Sequence, residues 1–480
     1  MATSLYFYDL ETTGFNAREA RVMQFAGQRT DLELNPIGEP HNILIKLTDE
    51  ILPDPDAILV TGITPQQTMA DGITEAAFLR LFHDEIATPD TVFVGYNTIR
   101  FDDEFMRFMH YRNFYDAYEW QWQDGRSRWD MLDVVRMTRA LRPEGIQWPF
   151  DSAGKPTNRL ELLTKVNKLD HFDAHDALSD VQATIAVAKL IQTKQPKLFT
   201  YLLEMRTKNK VAELVEGGRP FVYTSGKYSG AFEKTTVVGT IMPHPKKQGM
   251  LVYDLRVDPE QFADKTAEQL VDLWKYTKDE AAPPRLPVKV LQYNRCPAIA
   301  PLGVLDESSI QRLQLDLEGI KQNHARLQKM SDFATKLQKA LEIMDKAMQA
   351  RFITDEGDVD GALYDGFVAN KDKTVMSAIR ASEPQELSEF ASSLTDSRLQ
   401  KLLPLYKARN YPKSLTSEER ESWEAFRHQR LLGGGKQNRL QRYITRLQEL
   451  AATKGLSDQK QYLLQELHLY AESILPDTDA

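Results

Sequence analysis

The chain carries a single cysteine, Cys296, in 480 residues. No internal disulfide can form, which predicts folding in a reducing cytoplasm. Long apolar runs are also missing. None reaches the roughly 18 to 20 residues that a membrane span needs, so no membrane partner is expected. The opening residues, MATSLYFYDLETTG, have no basic flank and meet charge at once, unlike a secretory leader. No fixed-period repeat and no low-complexity tract occurs. Nor is there an excess of positive charge: Lys and Arg number 60 against 69 Asp and Glu, a net charge of -9. Phosphate binding, if present, must rest on local clusters.

What remains is the composition of a globular protein, 42% hydrophobic and 27% charged, which excludes a disordered or collagen-like chain. The length suggests about three domains. Residues 1–195 alternate strand-like stretches (4–10, 22–28, 42–47, 92–96) with helix-like ones (74–86, 101–112, 128–141, 159–167, 176–193). That pattern predicts an α/β sheet covered on both faces. Residues 196–350 contain short strands between Gly and Pro, as in a small β-barrel, with flanking helices. Residues 351–480 read as all helix.

Asp9 and Glu11 stand two apart at the end of the first strand and so share a face. Two carboxylates so placed are costly unless a cation lies between them, and oxygen ligands suit Mg²⁺ or Mn²⁺. With 69 acids in the chain such a pair also arises by chance as a solvated strand end. Two further segments add to it. Asp102, in GYNTIRFDDEFM, follows a strand and opens a helix, where on its own it reads more often as an N-cap. HDALSD places His175 before a helix and Asp180 in its first turn. Together the four acids suit metal-assisted phosphoryl hydrolysis, with two ions roughly 3.5–4 Å apart, and His175 suits proton removal from water.

The three segments D-x-E-T-T-G, N-x-x-x-F-D-x-x-F and H-x-A-x-x-D resemble the motifs of the DEDD exonucleases, histidine subclass. The resemblance covers residues 1–195 and implies a ribonuclease-H-like exonuclease domain. It makes Asp9, Glu11, Asp102 and Asp180 the metal-holding acids and His175 the general base. It favours Asp102 over its neighbour Asp103. The remainder resembles the bacterial exodeoxyribonuclease I family through LPVKVLQYNRCP (286–297), LYDGF (363–367) and YKARNYP (406–412). That resemblance implies an SH3-like β-barrel region, a helical C-terminal domain, and processive 3′→5′ digestion of single-stranded DNA to 5′-mononucleotides in repair or recombination. It further implies Mg²⁺ dependence, a monomer, and contact with the acidic tail of single-stranded-DNA-binding protein. An exoribonuclease with appended RNA-binding domains is the alternative, and a 2′-hydroxyl would discriminate the two.

Residues 107–136 interleave rings and cations, the ingredients of a single-strand groove. Some of these rings belong to the core, Trp129 first among them. The candidate strand ligands are Arg107, Tyr118, Trp122, Arg136, Asn158 and Arg159, with Glu11 also a candidate substrate-binding residue. Tyr364 and Phe367 are candidate stacking rings. Two acid-free basic stretches follow: five cations between Ser397 and Ser414, and six between Ala425 and Gln448. In the second, Arg439, Arg442 and Arg446 form one helical stripe, a candidate surface for the acidic partner tail or the distal strand and equally a solvated face.

Overall fold

The computed structural model describes residues 3–169, 176–275, 284–351, 358–434 and 438–476. The first sheet contains β1 (Ser4–Thr12), β2 (Val22–Thr30), β3 (Pro36–Leu44), β4 (Thr91–Gly95) and β5 (Ser127–Asp130), in the order β3-β2-β1-β4-β5. β1 runs antiparallel to β2 and parallel to β4, and β4 is parallel to β5. Both faces of β1 are buried. Leu5 and Phe7 enter one core, while Tyr6, Tyr8 and Leu10 enter the other. Such two-sided burial explains why the strand reads as an almost continuous apolar run.

Two elements differ from the sequence expectation. The stretch 128–141 does not begin as helix: it is β5 through Asp130, and the helix is Met131–Leu141. Alternation decides this. Trp129 packs edge-on against Phe199 in the core, Arg128 pairs with Asp103 on the other side, and the Asp130 carboxylate accepts from Leu132 N at 2.9 Å, which caps the helix there. The third strand is Pro36–Leu44 rather than 42–47. It is a largely exposed edge strand, so its polar residues hid it. Ile45 leaves it to bridge Ile73.

The second sheet is wholly antiparallel, β10-β6-β7-β8-β9, built from β6 (Phe221–Thr224), β7 (Thr235–Pro243), β8 (Gly249–Asp254), β9 (Val288–Gln292) and β10 (Ala298–Pro301). Helices Leu317–Lys329 and Phe333–Arg351 pack against it. The last part of the chain is helical, with Asn370–Ala381, Ser397–Asn410, Ser417–Leu432, Arg439–Ala451 and Asp458–Ser473. Apart from a small cluster of Leu431, Tyr470 and Ile474, its core is shared with the first part of the chain. Leu399, Leu402 and Tyr406 share one with Phe105 and Met109 of the first domain, and Tyr443 and Leu467 share another with Met23 and Ile58. Among the described residues no helix is long and apolar enough to cross a membrane.

Candidate active site

The site lies where the parallel strands β1 and β4 end, the usual place for ligands on such sheets. Residues 5, 7, 9 and 11 share one face of β1. That face is covered by the helix Ala177–Lys194, which packs Ala177 and Val181 beside Leu5 and Phe7. The first turn of this helix carries Asp180. Hence Asp9, Glu11 and Asp180 converge, each offering an oxygen within 4.8 Å of the others.

Asp102 arrives from β4. Gly95 ends that strand, and a Cβ there would stand 2.8 Å from the Tyr8 carbonyl oxygen and 2.0 Å from Thr98 Cγ2. Only glycine lets the chain turn so close to β1. Asp130 holds the turn by accepting from Asn97 N at 3.0 Å and Ile99 N at 3.3 Å. Asp102 then opens the helix Asp102–Arg112 and is buried. Its neighbour Asp103 faces the opposite way. It accepts from Tyr8 Oη at 2.6 Å and pairs with Arg128. The two adjacent acids are thus divided between the site and the core, as the motif spacing suggests.

Electrostatics argues for a cation among these acids. Burial first, then the charges of Asp102, Asp180 and Asp176, pushes the Asp9 carboxyl well above its ordinary value. Burial followed by Asp9, Asp180 and Asp176 pushes Glu11 up to about 9. Asp102 is raised by burial and by Asp103 and Glu11, against a backbone hydrogen bond that lowers it. The charges that act most strongly on these three carboxyls among the described residues are all acids, so the donor set is one of hard oxygens short of positive charge. A divalent ion fits it.

Asp176, not singled out in the sequence, belongs to this field. It caps the Ala177–Lys194 helix through Ser179 N at 3.0 Å, and capping chemistry masked its second role. His175 lies outside the described residues.

The candidate strand ligands are spread around this centre. Tyr118 and Trp122 are exposed, Trp122 at 62%. The Arg107 guanidinium lies 5.5 Å from the Tyr118 ring centre and is itself buried, donating to Glu104 Oε1 at 2.5 Å and Gln121 Oε1 at 3.1 Å. Arg136 donates to Asp133 Oδ1 at 2.7 Å and stands against Gly226 of the second domain. Asn158 has a buried Oδ1 without a hydrogen-bond partner, while its backbone oxygen accepts from the Tyr96 hydroxyl. Arg159 is exposed, 3.8 Å from Glu161. The Tyr364 hydroxyl donates to Glu104, and Phe367 is fully exposed. Trp129, the first suspected core ring, is buried, and so is Trp120 of the same stretch.

Most cations of the first acid-free stretch serve the interior: Arg398 pairs with Asp396, Lys407 with Glu419, and Arg409 with Glu50 and Asp360. In the second stretch Arg427 and Arg430 do likewise. Arg439, Arg442 and Arg446 line a pocket of about 320 Å³ whose facing wall includes Thr13 and Phe15, just beyond Glu11. Arg446 there is bound to Asp56 at 2.7 and 2.8 Å.

Sequence reasoning missed a larger feature. A cleft of about 950 Å³ opens between the first two domains, lined by Ile99, Arg100, Asp130 and Asp133 on one side and by Lys227, Lys234, Lys247, Arg285, Lys289 and Arg295 on the other. The Lys289 ammonium lies 3.4 Å from the Tyr228 ring centre. Burial, then repulsion from Arg285, Lys227 and Lys234, brings its pKa down to about 7, with Asp254 opposing. These cations come from separate strands and loops and form no run. The local trace is Lys289 and Arg295, both inside LPVKVLQYNRCP.

Three family models match in order: Exonuclease over residues 6–188, Exonuclease I SH3-like domain over 206–342, and Exonuclease I C-terminal domain over 357–474. Exodeoxyribonuclease I of Haemophilus influenzae is 38% identical, covering 98% of this chain and 99% of that one. Among solved structures, Exonuclease I from Methylocaldum szegediense is 43% identical with a TM-score of 0.91, over 98% of this chain and 100% of that chain. Escherichia coli Exonuclease I in complex with a dA16 oligonucleotide is 38% identical with a TM-score of 0.92, over 99% and 100%. Similar structures also include a zinc-bound Escherichia coli ExoI–ssDNA complex and SSB/Exonuclease I with an inhibitor.

Proposed function

The chain belongs to the exodeoxyribonuclease I family, and from that membership we propose that it digests single-stranded DNA from the 3′ end, processively, releasing 5′-mononucleotides. The observation that carries the reading is the convergence of Asp9, Glu11 and Asp180 oxygens, with Asp102 acting on Asp9 from the adjacent strand end. These four acids would hold two Mg²⁺ ions, with Mn²⁺ as a substitute. Bound there, the ions supply Lewis-acid polarisation of the scissile phosphate and a more acidic attacking water. His175 is assigned the proton of that water on the strength of the family motif. The exposed rings of Tyr118, Trp122 and Phe367 suit base stacking, and the lysine-walled cleft suits a phosphate backbone. A strand held at many phosphates leaves slowly, while a one-nucleotide step keeps most contacts. The exoribonuclease alternative is not favoured by the relatives, which are named for DNA.

The deciding assay follows release of a 3′ label from single-stranded DNA, with duplex DNA, single-stranded RNA and 5′-labelled DNA as comparisons. Immediate release of labelled mononucleotide from single-stranded DNA alone, abolished by chelator, is expected. Equal digestion of RNA would reject the assignment.

Lys289 provides a pH test. Its pKa in the folded protein, about 7, lies below the ordinary 10.5. A phosphate alongside favours the charged form, so strand binding takes up a proton. Affinity is therefore expected to fall as pH rises from about 7 to about 9. Lys289→Met should bind more weakly, flatten that slope and reduce the log–log salt slope by about 0.7. Fluorescence anisotropy of a labelled strand in chelator reads all three, and an unchanged pH slope would remove Lys289 from the strand path.

We extend the reading to a monomer that binds the acidic tail of single-stranded-DNA-binding protein, with Arg439 and Arg442 as the dock. Arg442→Glu is expected to weaken binding of an acidic tail peptide about tenfold or more, the scale of reversing one interfacial charge. Cleavage of very short oligonucleotides should be spared. Unchanged peptide affinity by calorimetry would move the dock elsewhere.

A further inference from the structure

Asp360 sits in a helical turn, Val359–Asp365, at the start of the C-terminal region. It is 1% exposed, yet three guanidinium groups surround it. Its Oδ2 accepts from Arg21 Nη2 at 2.7 Å, Arg409 Nη2 at 2.8 Å and Arg430 Nη1 at 3.1 Å, and its Oδ1 from Arg409 Nη1 at 2.8 Å. Arg409 also donates to buried Glu50 at 2.8 Å, and Asp358 lies 3.8 Å from Arg430. Three cations thus face three anions. Burial alone would raise the pKa of Asp360, but Arg409, Arg21 and Arg430 hold it well below the usual carboxylate range, so it stays ionised.

Arg21 and Glu50 belong to the exonuclease domain, whereas Asp360, Arg409 and Arg430 belong to the C-terminal helices. Buried ion clusters contribute little net stability, because desolvation offsets most of the attraction. They do penalise every arrangement that separates the partners. Such a cluster is poor glue and a good register pin.

What it pins is the segment carrying two rings over the site. Beyond Asp360, Arg398 Nη1 donates to Ala362 O at 2.8 Å and Gly366 O at 3.0 Å. Tyr364 then meets Glu104, two residues from Asp102 on the same helix, and its ring stands edge-on to Phe108. Phe367 follows, fully exposed. We propose that Asp360 is a positioning residue: by locking residues 358–367 to the exonuclease domain, it sets where Tyr364 and Phe367 meet the bases of the incoming strand.

The inference rests on the single-strand reading above. The test places a tryptophan reporter, Phe367→Trp, in the full chain with and without Asp360→Asn. Oligothymidylate is expected to quench the reporter in the parent and to quench it far less in the Asp360→Asn protein. For long strands KM should rise about tenfold or more, the scale of losing one stacked base, while kcat on a trinucleotide stays within about twofold of the parent. Asp360→Glu should recover part of the KM loss. Arg398→Ala loosens the same segment while leaving the Asp360 cluster intact, and should shift KM and quenching in the same direction. It decides the matter if Asp360→Asn does not fold. Parental KM and quenching in a folded Asp360→Asn or Arg398→Ala protein would overturn the proposal. So would an equal loss of kcat on the trinucleotide. Absence of hydrolysis in the parent chain would instead reject the underlying single-strand reading.

Discussion

Replacing Asp9 by alanine is expected to lower release of a 3′-labelled nucleotide about 10³-fold or more, because several kcal/mol of transition-state charge stabilisation depend on the ions this acid would hold. The same change is expected to leave the fold intact, and in chelator to make it more stable. Asp9 is pressed by Asp102, Asp180 and Asp176 in a buried setting, so its ionised form opposes folding. The sign follows from linkage. A carboxyl whose folded pKa exceeds its unfolded one binds protons more tightly when folded, and stability falls as pH rises between the two values. For Glu11 that window runs from 4.5 to about 9. Without divalent ions the melting temperature should therefore decline across the window, and less steeply in Asp9→Ala, where one repelling charge is gone. Magnesium should raise the parent's melting temperature and raise that of the variant much less. Full digestion by Asp9→Ala in excess chelator would refute the metal-holding role.

Removal of the proposed base comes next in size. His175→Ala is expected to reduce kcat by about 10²–10⁴-fold, the range for a general base, with strand affinity nearly unchanged. The chain itself links the proposed base to the acids. His175 directly precedes Asp176, which caps the Ala177–Lys194 helix and whose charge acts on both Asp9 and Glu11. A fall in affinity matching the fall in kcat would mark His175 as a strand ligand instead.

Legibility differed between elements for identifiable reasons. β1 was readable because both its faces are buried, whereas β3 was obscured by its exposed edge. β5 was absorbed into the following helix, since Asp130 serves as both strand end and helix cap. The basic stretches of the C-terminal region looked like surface. Arg398, Lys407, Arg409, Arg427 and Arg430 nevertheless pair with acids that are remote in the chain or local to it. Composition registers a cation without showing which acid will neutralise it.

By itself the sequence determined the kind of chemistry: hard-oxygen donors at the ends of regular elements, in an order and spacing shared with a nuclease family, on a chain with three successive compositional characters. Periodicity and motif spacing are local properties, so they survive in one dimension. Only the tertiary structure decided that lysines as distant as Lys227 and Lys289 wall one cleft, and that Arg21 neutralises Asp360 from 339 residues away. Those outcomes depend on burial and on long-range charge pairing, and both come into being when the strands and helices pack.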